Sequence, residues 1–145
     1  MDYTALAMEL LNLRGKMLTV PADQKLSKMV KGELFVLNYL ATHETVIHPK
    51  ELSEDMAVST ARIASLLNHM EEKKLICRCP DKDDSRQIVV VLTEAGWERI
   101  QMIRTEVLSY TSAMLEELGP EDALAYIRIQ KKIWTNAHKK QRNPT

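Results

Sequence analysis

Residues 59–96, with the sequence STARIASLLNHMEEKKLICRCPDKDDSRQIVVVLTEAG, decide the fold of this chain. A serine that can cap a helix is followed by apolar residues spaced three to four apart, which predicts an amphipathic helix over Thr60–Lys74. The β-branched residues further on are typical of strands, which are expected at residues 75–79 and 87–92. The charged segment between them, residues 80–86, predicts the turn of a β-hairpin.

A second, shorter helix is predicted to begin at Pro49, because proline lacks the N–H that would be unpaired in a first helical turn. A break of about three residues separates this helix from the one that Ser59 caps, which is the spacing of a helix-turn-helix. A helix-turn-helix followed directly by a hairpin with a charged tip is a winged helix. The predicted fold class is therefore mainly α with a small β-hairpin wing.

Longer helices are predicted on both sides of the winged helix. Apolar residues at helical spacing indicate helices over residues 2–18 and 31–42, and the stretch between them, which contains Pro21, is expected to be irregular. After the wing, Thr93 can cap a helix over residues 94–118, and the Gly-Pro pair that follows separates it from a last helix.

The first helix and the last two carry more apolar surface than one small protomer can bury. A two-fold homodimer built from these helices would cover that surface. We therefore expect a helical dimerisation region formed by residues 1–28 and 93–145, and a winged helix-turn-helix DNA-binding region formed by residues 29–92.

The composition is that of an ordinary globular domain, with 145 residues, 45% hydrophobic and 28% charged. No apolar run approaches the roughly 18 residues that span a bilayer, and the first residues lack the basic start and cleavage site of a signal peptide. A cytoplasmic protein without a membrane partner is the expectation. The net charge is zero, so a DNA-binding surface must come from the placement of charges rather than from their sum.

The helix that follows Ser59 carries the first candidate site on its outer face. The opposite stripe is expected to pack on the core and consists of Ile63, Leu66, Leu67 and Met70. The outer face is polar and nearly uncharged, with small side chains near its start, which suits close approach to a DNA major groove. Arg62 can reach guanine or phosphate, and Asn68 and His69 can reach base edges or backbone. An ordinary solvated face is the alternative interpretation.

The tip of the wing is the second candidate site, where Lys82 and Arg86 are interspersed with three aspartates. An aspartate beside an arginine can hold the guanidinium for insertion into a narrow minor groove. A plain solvated turn is the alternative, since Asp and Ser are common turn residues. Together the two sites give the candidate DNA-binding residues, which are Ser59, Thr60, Ala61, Arg62, Ser65, Asn68, His69, Lys82, Asp84 and Arg86.

Other chemistry has little support in the sequence. Cys77 and Cys79 fall on the same face of a strand and are interpreted as small core residues, because Cys-x-Cys alone lacks the ligand count of a zinc site. The four histidines are scattered, and no catalytic Ser/His/Asp order, glycine-rich phosphate loop or His-x-x-x-His spacing occurs. We therefore expect neither an enzyme nor a bound metal or cofactor.

Three segments of the chain resemble the motifs of a known family. Met70-Glu-Glu-Lys-Lys-Leu-Ile76, Asp84-Ser-Arg86 and Leu92-Thr-Glu-Ala-Gly96 are similar, in order and spacing, to the "LE-x-K-G-L-V", "D-x-R" and "LT-x-x-G" signatures of the MarR (multiple antibiotic resistance regulator) family. With the helices before and after, the resemblance covers nearly the whole chain. Lys74 departs from the pattern, because the family usually has glycine there, and a slightly different geometry is expected before the wing.

The resemblance implies a triangular homodimer, in which the first helix and the last two form the interface and two winged helices read a near-palindrome. It implies that Arg86 enters the minor groove and that Asp84 supports it. It also implies repression by blocking promoters, and release of DNA when a small, often aromatic or phenolic, ligand binds near the junction of the two regions. Ala61 and Ala64 replace hydroxyl residues common on the family's recognition helix, so the base preference need not be typical.

The predicted function is therefore that of a transcriptional repressor that binds double-stranded DNA as a homodimer and responds to a small-molecule effector. The alternative is a winged-helix module that has lost DNA binding and docks a protein partner. Only six cations stand against five anions between Ser59 and Arg86, and this modest balance keeps the alternative open.

Overall fold

The fold is described by a computed structural model that covers residues 1–142. Within these residues the chain forms seven helices and one two-stranded antiparallel sheet, so the predicted mainly α class with a hairpin wing is confirmed. In chain order the elements are α1 (Tyr3–Met17), α2 (Pro21–Met29), α3 (Gly32–Thr42), α4 (Pro49–Met56), α5 (Thr60–Glu72), β1 (Ile76–Pro80), β2 (Ile88–Leu92), α6 (Glu94–Leu118) and α7 (Pro120–Arg142). The last part of the predicted dimerisation region, residues 143–145, lies outside the described residues.

The prediction of an irregular stretch around Pro21 is wrong, because these residues form helix α2. Pro21 occupies the first turn, where its missing N–H removes no hydrogen bond. Helix α2 packs on α3 and α6, and Lys25 Nζ donates to Glu106 Oε1 at 2.7 Å across the α2–α6 contact.

One hydrophobic core lies between the hairpin and helices α2 to α6. The predicted apolar stripe of α5 is confirmed, since Ile63, Leu67 and Met70 are buried and Leu66 is half-buried at the edge. Buried side chains from the neighbouring elements complete this core, among them Leu37, Leu52, Ile76 and Ile100. This packing holds α5 with its polar face outward.

The hairpin is short and is fastened to the helix-turn-helix. Ile76 lies opposite Leu92 and Pro80 opposite Ile88, and each strand begins one residue later than predicted. Val90 N also donates to the carbonyl oxygen of residue 47 at 2.9 Å, so the loop before α4 is bound to β2. The base of the wing is therefore fixed on two sides, by α5 and by this loop.

The interpretation of Cys77 and Cys79 as core residues is wrong. Alternate residues of a strand point to opposite faces, and the face of β1 that carries Ile76 docks on α5. Cys77 is consequently exposed and Cys79 half-buried. Partial desolvation and the neighbouring Cys79 raise the pKa of the Cys77 thiol, so it stays protonated at neutral pH and is a weak nucleophile.

The segment between the wing and α6 brings the helix very close to β1. Thr93 caps α6, as predicted, because its Oγ1 accepts from Gly96 N at 3.1 Å. The same hydroxyl donates to Lys74 O at 2.7 Å, and Thr93 N donates to Leu75 O at 3.1 Å. A Cβ added to the buried Gly96 would lie 2.1 Å from Leu75 O, so this position has no room for a side chain.

Lys74 adopts a left-handed conformation with φ of 60°. Glycine tolerates this conformation best, and a side chain there costs about 1–2 kcal/mol. The MarR family usually has glycine at this position, and Lys74 keeps a glycine-type turn there under strain. The expectation of a different geometry before the wing is therefore not supported.

The two terminal helices have large exposed apolar faces. Helix α1 has no buried residue, and an ion pair joins its Arg14 to Asp23 of α2 at 3.7 Å. The large apolar side chains exposed on α1 and α7 include Leu6, Met8, Leu10, Leu11, Leu13, Leu124, Ile129, Ile133 and Trp134. None of the helices in the described part of the chain is long and apolar enough to cross a membrane.

Candidate nucleic-acid interface

Helices α4 and α5 form a tight helix-turn-helix. The turn is possible because Ala57 adopts a left-handed conformation and Ser53 Oγ donates to Val58 O at 2.7 Å, which closes the chain on itself. Ser59 then caps α5, as predicted, by accepting from Arg62 N at 3.1 Å. The cap fixes where α5 begins and hence which of its residues face outward.

A buried tyrosine of α3, Tyr39, holds α4 in place through a hydrogen bond. Tyr39 OH donates to Asp55 Oδ2 at 2.6 Å. This hydrogen bond, with burial, raises the pKa of Tyr39 to about 12, so the phenol remains a neutral donor at any physiological pH. The contact joins α3 to α4 at the edge of the core.

The residues predicted to contact DNA at the cap and on α5 are all exposed, and we call them together the reading face. Its members are Ser59, Thr60, Ala61, Arg62, Ser65, Asn68 and His69. Besides Ser59, whose hydroxyl caps the helix, two of them already have polar partners. Asn68 Oδ1 accepts from Arg78 Nη2 at 2.6 Å, and His69 Nδ1 lies 3.8 Å from Glu72 Oε2.

Arg78 on β1 is a further functional candidate, which the sequence pattern does not indicate. Its guanidinium reaches from the wing to α5, where Nε donates to Glu71 Oε2 at 3.0 Å and Nη2 donates to Asn68. The hydrogen bonds from Arg78 hold the pKa of Glu71 below its usual value, so this carboxylate stays ionised. In sequence Arg78 is only one polar residue in a short strand, and nothing in the pattern indicates its partners.

The wing tip has the arginine–aspartate arrangement expected from the sequence. Asp84 Oδ1 accepts from the backbone N of Arg86 at 3.1 Å and from its Nε at 3.2 Å. The Arg86 side chain is 90% exposed, so the guanidinium is oriented by the aspartate and still projects from the surface. Lys82 is also exposed on this tip.

A second aspartate of the wing points away from the tip. Asp81 Oδ1 accepts from Asp83 N at 3.0 Å, and Asp81 Oδ2 pairs with His48 Nε2 at 2.8 Å. Asp81 and Asp84 are therefore both engaged within the protein. Their negative charge is partly compensated, which leaves Lys82 and Arg86 as the cations that project from the wing.

His48 links the wing to the start of α4. Its Nδ1 pairs with Glu51 Oε1 at 3.0 Å while its Nε2 pairs with Asp81. These two carboxylates, Asp81 first, raise the pKa of His48. The pKa of Asp81 is lowered by the backbone N–H of Asp83 and by His48. A protonated imidazole can donate to both carboxylates at once, so the link is strongest when His48 is charged.

The pH dependence of this link has a definite sign. A raised histidine pKa contributes stability that is complete below about pH 6.5 and is lost as the pH rises through the raised value. A lowered aspartate pKa contributes stability that is present above about pH 3.9 and is lost as the pH falls through the lowered value. Both contributions are therefore present between these two limits.

We expect His48→Asn to destabilise the protein most near pH 5 and least near pH 9, because asparagine can still cap α4 but cannot bridge two carboxylates. Urea unfolding of the variant and the wild type at both pH values measures the difference. His138→Asn, outside this hydrogen-bond chain, is the matched control and should show no such trend. An equal loss at both pH values would mean that the link acts through packing alone.

A cavity of about 560 Å³ lies behind the wing, between the loop before α4, the hairpin and the start of α6. Its apolar wall includes Val46, Val91 and Trp97, and its rim carries His43 and Lys82. Trp97 belongs to the predicted dimerisation region and the other residues to the predicted winged helix. Within residues 1–142, no three His, Cys, Asp or Glu side chains converge to hold a metal ion.

A capped helix-turn-helix, an exposed reading face and a hairpin wing with a projecting arginine define a winged helix-turn-helix protein. The model of the MarR family matches residues 29–87, from the end of α2 to the wing turn. Over residues 29–87 the chain is therefore similar to the MarR family of transcription regulators. One relative, the uncharacterized HTH-type transcriptional regulator YdgJ of Bacillus subtilis (strain 168), is 26% identical over 104 residues, which are 72% of this chain and 62% of that relative's length.

Solved structures share the fold at low sequence identity. AbsC, a MarR family transcriptional regulator from Streptomyces coelicolor, is 20% identical with a TM-score of 0.70, and 96% of this chain and 97% of AbsC are covered. The YusO protein of Bacillus subtilis is 23% identical with a TM-score of 0.64, over 92% of this chain and 94% of YusO. S. aureus MepR in a complex with DNA is 20% identical with a TM-score of 0.67, over 89% of this chain and 96% of MepR.

Proposed function

We propose that this protein is a transcriptional repressor that binds a near-palindromic DNA operator as a homodimer and releases it when a small ligand binds. The observation that carries the proposal is the pairing of an exposed reading face on α5 with Arg86, which Asp84 orients at the tip of the wing. The reading face would enter a major groove, and Arg86 would enter the adjoining minor groove. The similarity to MepR, which has been solved with DNA, supports this use of the fold.

The homodimer is supported by the apolar faces of α1 and α7. Leu10 is 60% exposed and Trp134 is 64% exposed, and both belong to rows of exposed apolar side chains. Monomeric soluble proteins rarely expose contiguous apolar patches of this kind. A two-fold partner that covers both helices would bury them and would place two reading faces on one DNA duplex.

Salt dependence tests the proposed function, because phosphate contacts release counterions from DNA. About six phosphate contacts per dimer predict a slope of about −5 in a plot of log K against log salt, at −0.9 for each contact. The measurement is fluorescence anisotropy with duplexes selected from a random library, at several salt concentrations. Failure to enrich any duplex, with a folded dimer confirmed by sedimentation, would instead support the protein-docking alternative.

The cavity behind the wing is the proposed effector site. Its volume of about 560 Å³ falls in the range of small-molecule pockets, and its walls are mainly apolar. A ligand there would contact both the hairpin and α6, so binding would alter the position of the wing relative to the rest of the protomer. Small neutral phenols suit a site with apolar walls, a tryptophan and a polar rim that carries one lysine and three carboxylates.

Trp97 reports on this site directly, because its indole lines the cavity and is 43% exposed. In a Trp134→Phe background, a phenol that releases DNA is expected to change Trp97 emission over the same concentration range. A compound that releases DNA without affecting Trp97 would place the effector site elsewhere. Val46→Trp, which fills the opening of the cavity, should weaken the response without removing DNA binding.

A further inference from the structure

We propose that Arg78 sets the base preference of the reading face by fixing the side-chain amide of Asn68, so that Asn68 presents its NH2 group, and not its carbonyl oxygen, to DNA. Asn68 would then select a hydrogen-bond acceptor on a base edge, such as N7 or O6 of guanine or O4 of thymine, and would not read adenine through a bidentate contact. The inference rests on the proposed function and adds a positioning residue to it.

Three residues from two elements make this arrangement. Arg78 Nη2 donates to Asn68 Oδ1 at 2.6 Å, which is the short distance of a charge-assisted hydrogen bond. Glu71 Oε2 accepts from both the backbone N and the Nε of Arg78, at 3.2 and 3.0 Å. The carboxylate therefore fixes the guanidinium on β1, and the guanidinium in turn fixes the amide on α5.

The position of Asn68 makes its orientation relevant to DNA. Residues 61, 65, 68 and 72 are spaced three to four apart and form the outermost row of α5. Asn68 is exposed there, and Arg78 reaches it from β1, the strand that packs beside α5. The amide can thus keep its contact with Arg78 while its NH2 group faces a bound duplex.

The chemistry of the amide then limits which bases it can read. Asparagine recognises adenine with both ends, since its NH2 donates to N7 and its oxygen accepts from the N6 amino group. In this protein the oxygen already accepts from a cation, and an adenine amino group would have to approach beside that cation. The same hydrogen bond polarises the amide and makes its NH2 a better donor. Both reasons favour acceptor atoms that have no amino group beside them, as in guanine and thymine, over N7 of adenine.

Selection of binding sites from a random duplex library by four forms of the full chain tests the inference. The forms are the wild type, Asn68→Ala, Arg78→Met and Arg78→Lys. The base pair that Asn68 contacts is the position at which Asn68→Ala loses its preference. At that position the wild type should favour guanine or thymine, and Arg78→Met should increase the relative use of adenine about tenfold, the size of one good bidentate contact. Arg78→Lys should fall between them.

Two further readouts separate positioning from a general structural effect. If the selected base is guanine, its 7-deaza analogue should weaken binding by the wild type and leave Asn68→Ala unchanged. Glu71→Gln, which loosens the guanidinium without removing it, should shift the preference in the same direction as Arg78→Met. A wild-type preference for adenine at this position, or a loss of preference at all positions in Arg78→Met, would overturn the inference. Failure of the wild type to bind any duplex would instead overturn the proposed function.

Discussion

The Gly96→Ala variant is expected to lose at least about 3 kcal/mol of unfolding free energy, which is a large effect for one added methyl group. The new Cβ would lie 2.1 Å from Leu75 O and 3.1 Å from a methyl carbon of Leu92. Leu75 O is held in place because it accepts from Thr93 N. The clash is therefore relieved only if α6 moves away from the hairpin, which breaks the Thr93 contacts at the base of the wing.

Gly15→Ala is the matched control, because a Cβ at that position in α1 meets no atom of the same protomer within 4 Å. Alanine is favoured over glycine in a helix by about 1 kcal/mol, so this variant should be as stable as the wild type or slightly more stable. Urea unfolding of all three proteins at one protein concentration gives the comparison. A Gly96→Ala protein within about 0.5 kcal/mol of the wild type, the range of ordinary surface substitutions, would show that α6 does not dock as described.

The second large effect concerns DNA binding. Arg86→Ala is expected to weaken binding to a selected operator at least 30-fold without lowering the thermal stability. A groove-inserted arginine contributes about 1–3 kcal/mol, and a dimer would lose two of them, so that about 2 kcal/mol is the smallest expected loss. The fold should be unaffected, because the Arg86 side chain is 90% exposed and its only described partner is Asp84 on the same turn.

Arg99→Ala removes an exposed arginine from α6, outside both parts of the candidate interface, and should leave operator affinity within about twofold. Arg86→Lys should fall between the wild type and Arg86→Ala, because lysine keeps the charge but lacks the flat guanidinium. Anisotropy titrations at one salt concentration compare the four proteins. Equal affinity of Arg86→Ala and the wild type for the selected operator would exclude the wing tip from the interface.

Features that depend on neighbouring residues were predictable from the sequence. The cap at Ser59, the apolar stripe of α5 and the hairpin all follow from local chemistry and from the period of the chain, and the structure confirms them. The Asp84–Arg86 contact joins residues two apart, so the sequence indicated that as well. Helix α2 was missed because most of its nine residues are polar, and it depends on packing against α6 for its stability.

Contacts between distant segments were not predictable in the same way. Cys77 and Cys79 alternate with other residues in β1, and the sequence does not say which face of the strand docks on α5. The links from Arg78 to Asn68 and from His48 to Asp81 join residues 10 and 33 positions apart. Such links exist only once the wing has packed on the helices, so no spacing rule reveals them.

Hydroxyl-radical footprinting of the selected operator tests the central proposal most directly, because it reports minor-groove contacts base by base. We predict two symmetric half-sites whose centres are separated by about one helical turn or a multiple of it, each flanked by a minor-groove protection. The flanking protections should disappear in Arg86→Ala. A single asymmetric footprint, or flanking protections that persist in Arg86→Ala, would contradict a two-fold dimer that reads DNA with α5 and the wing.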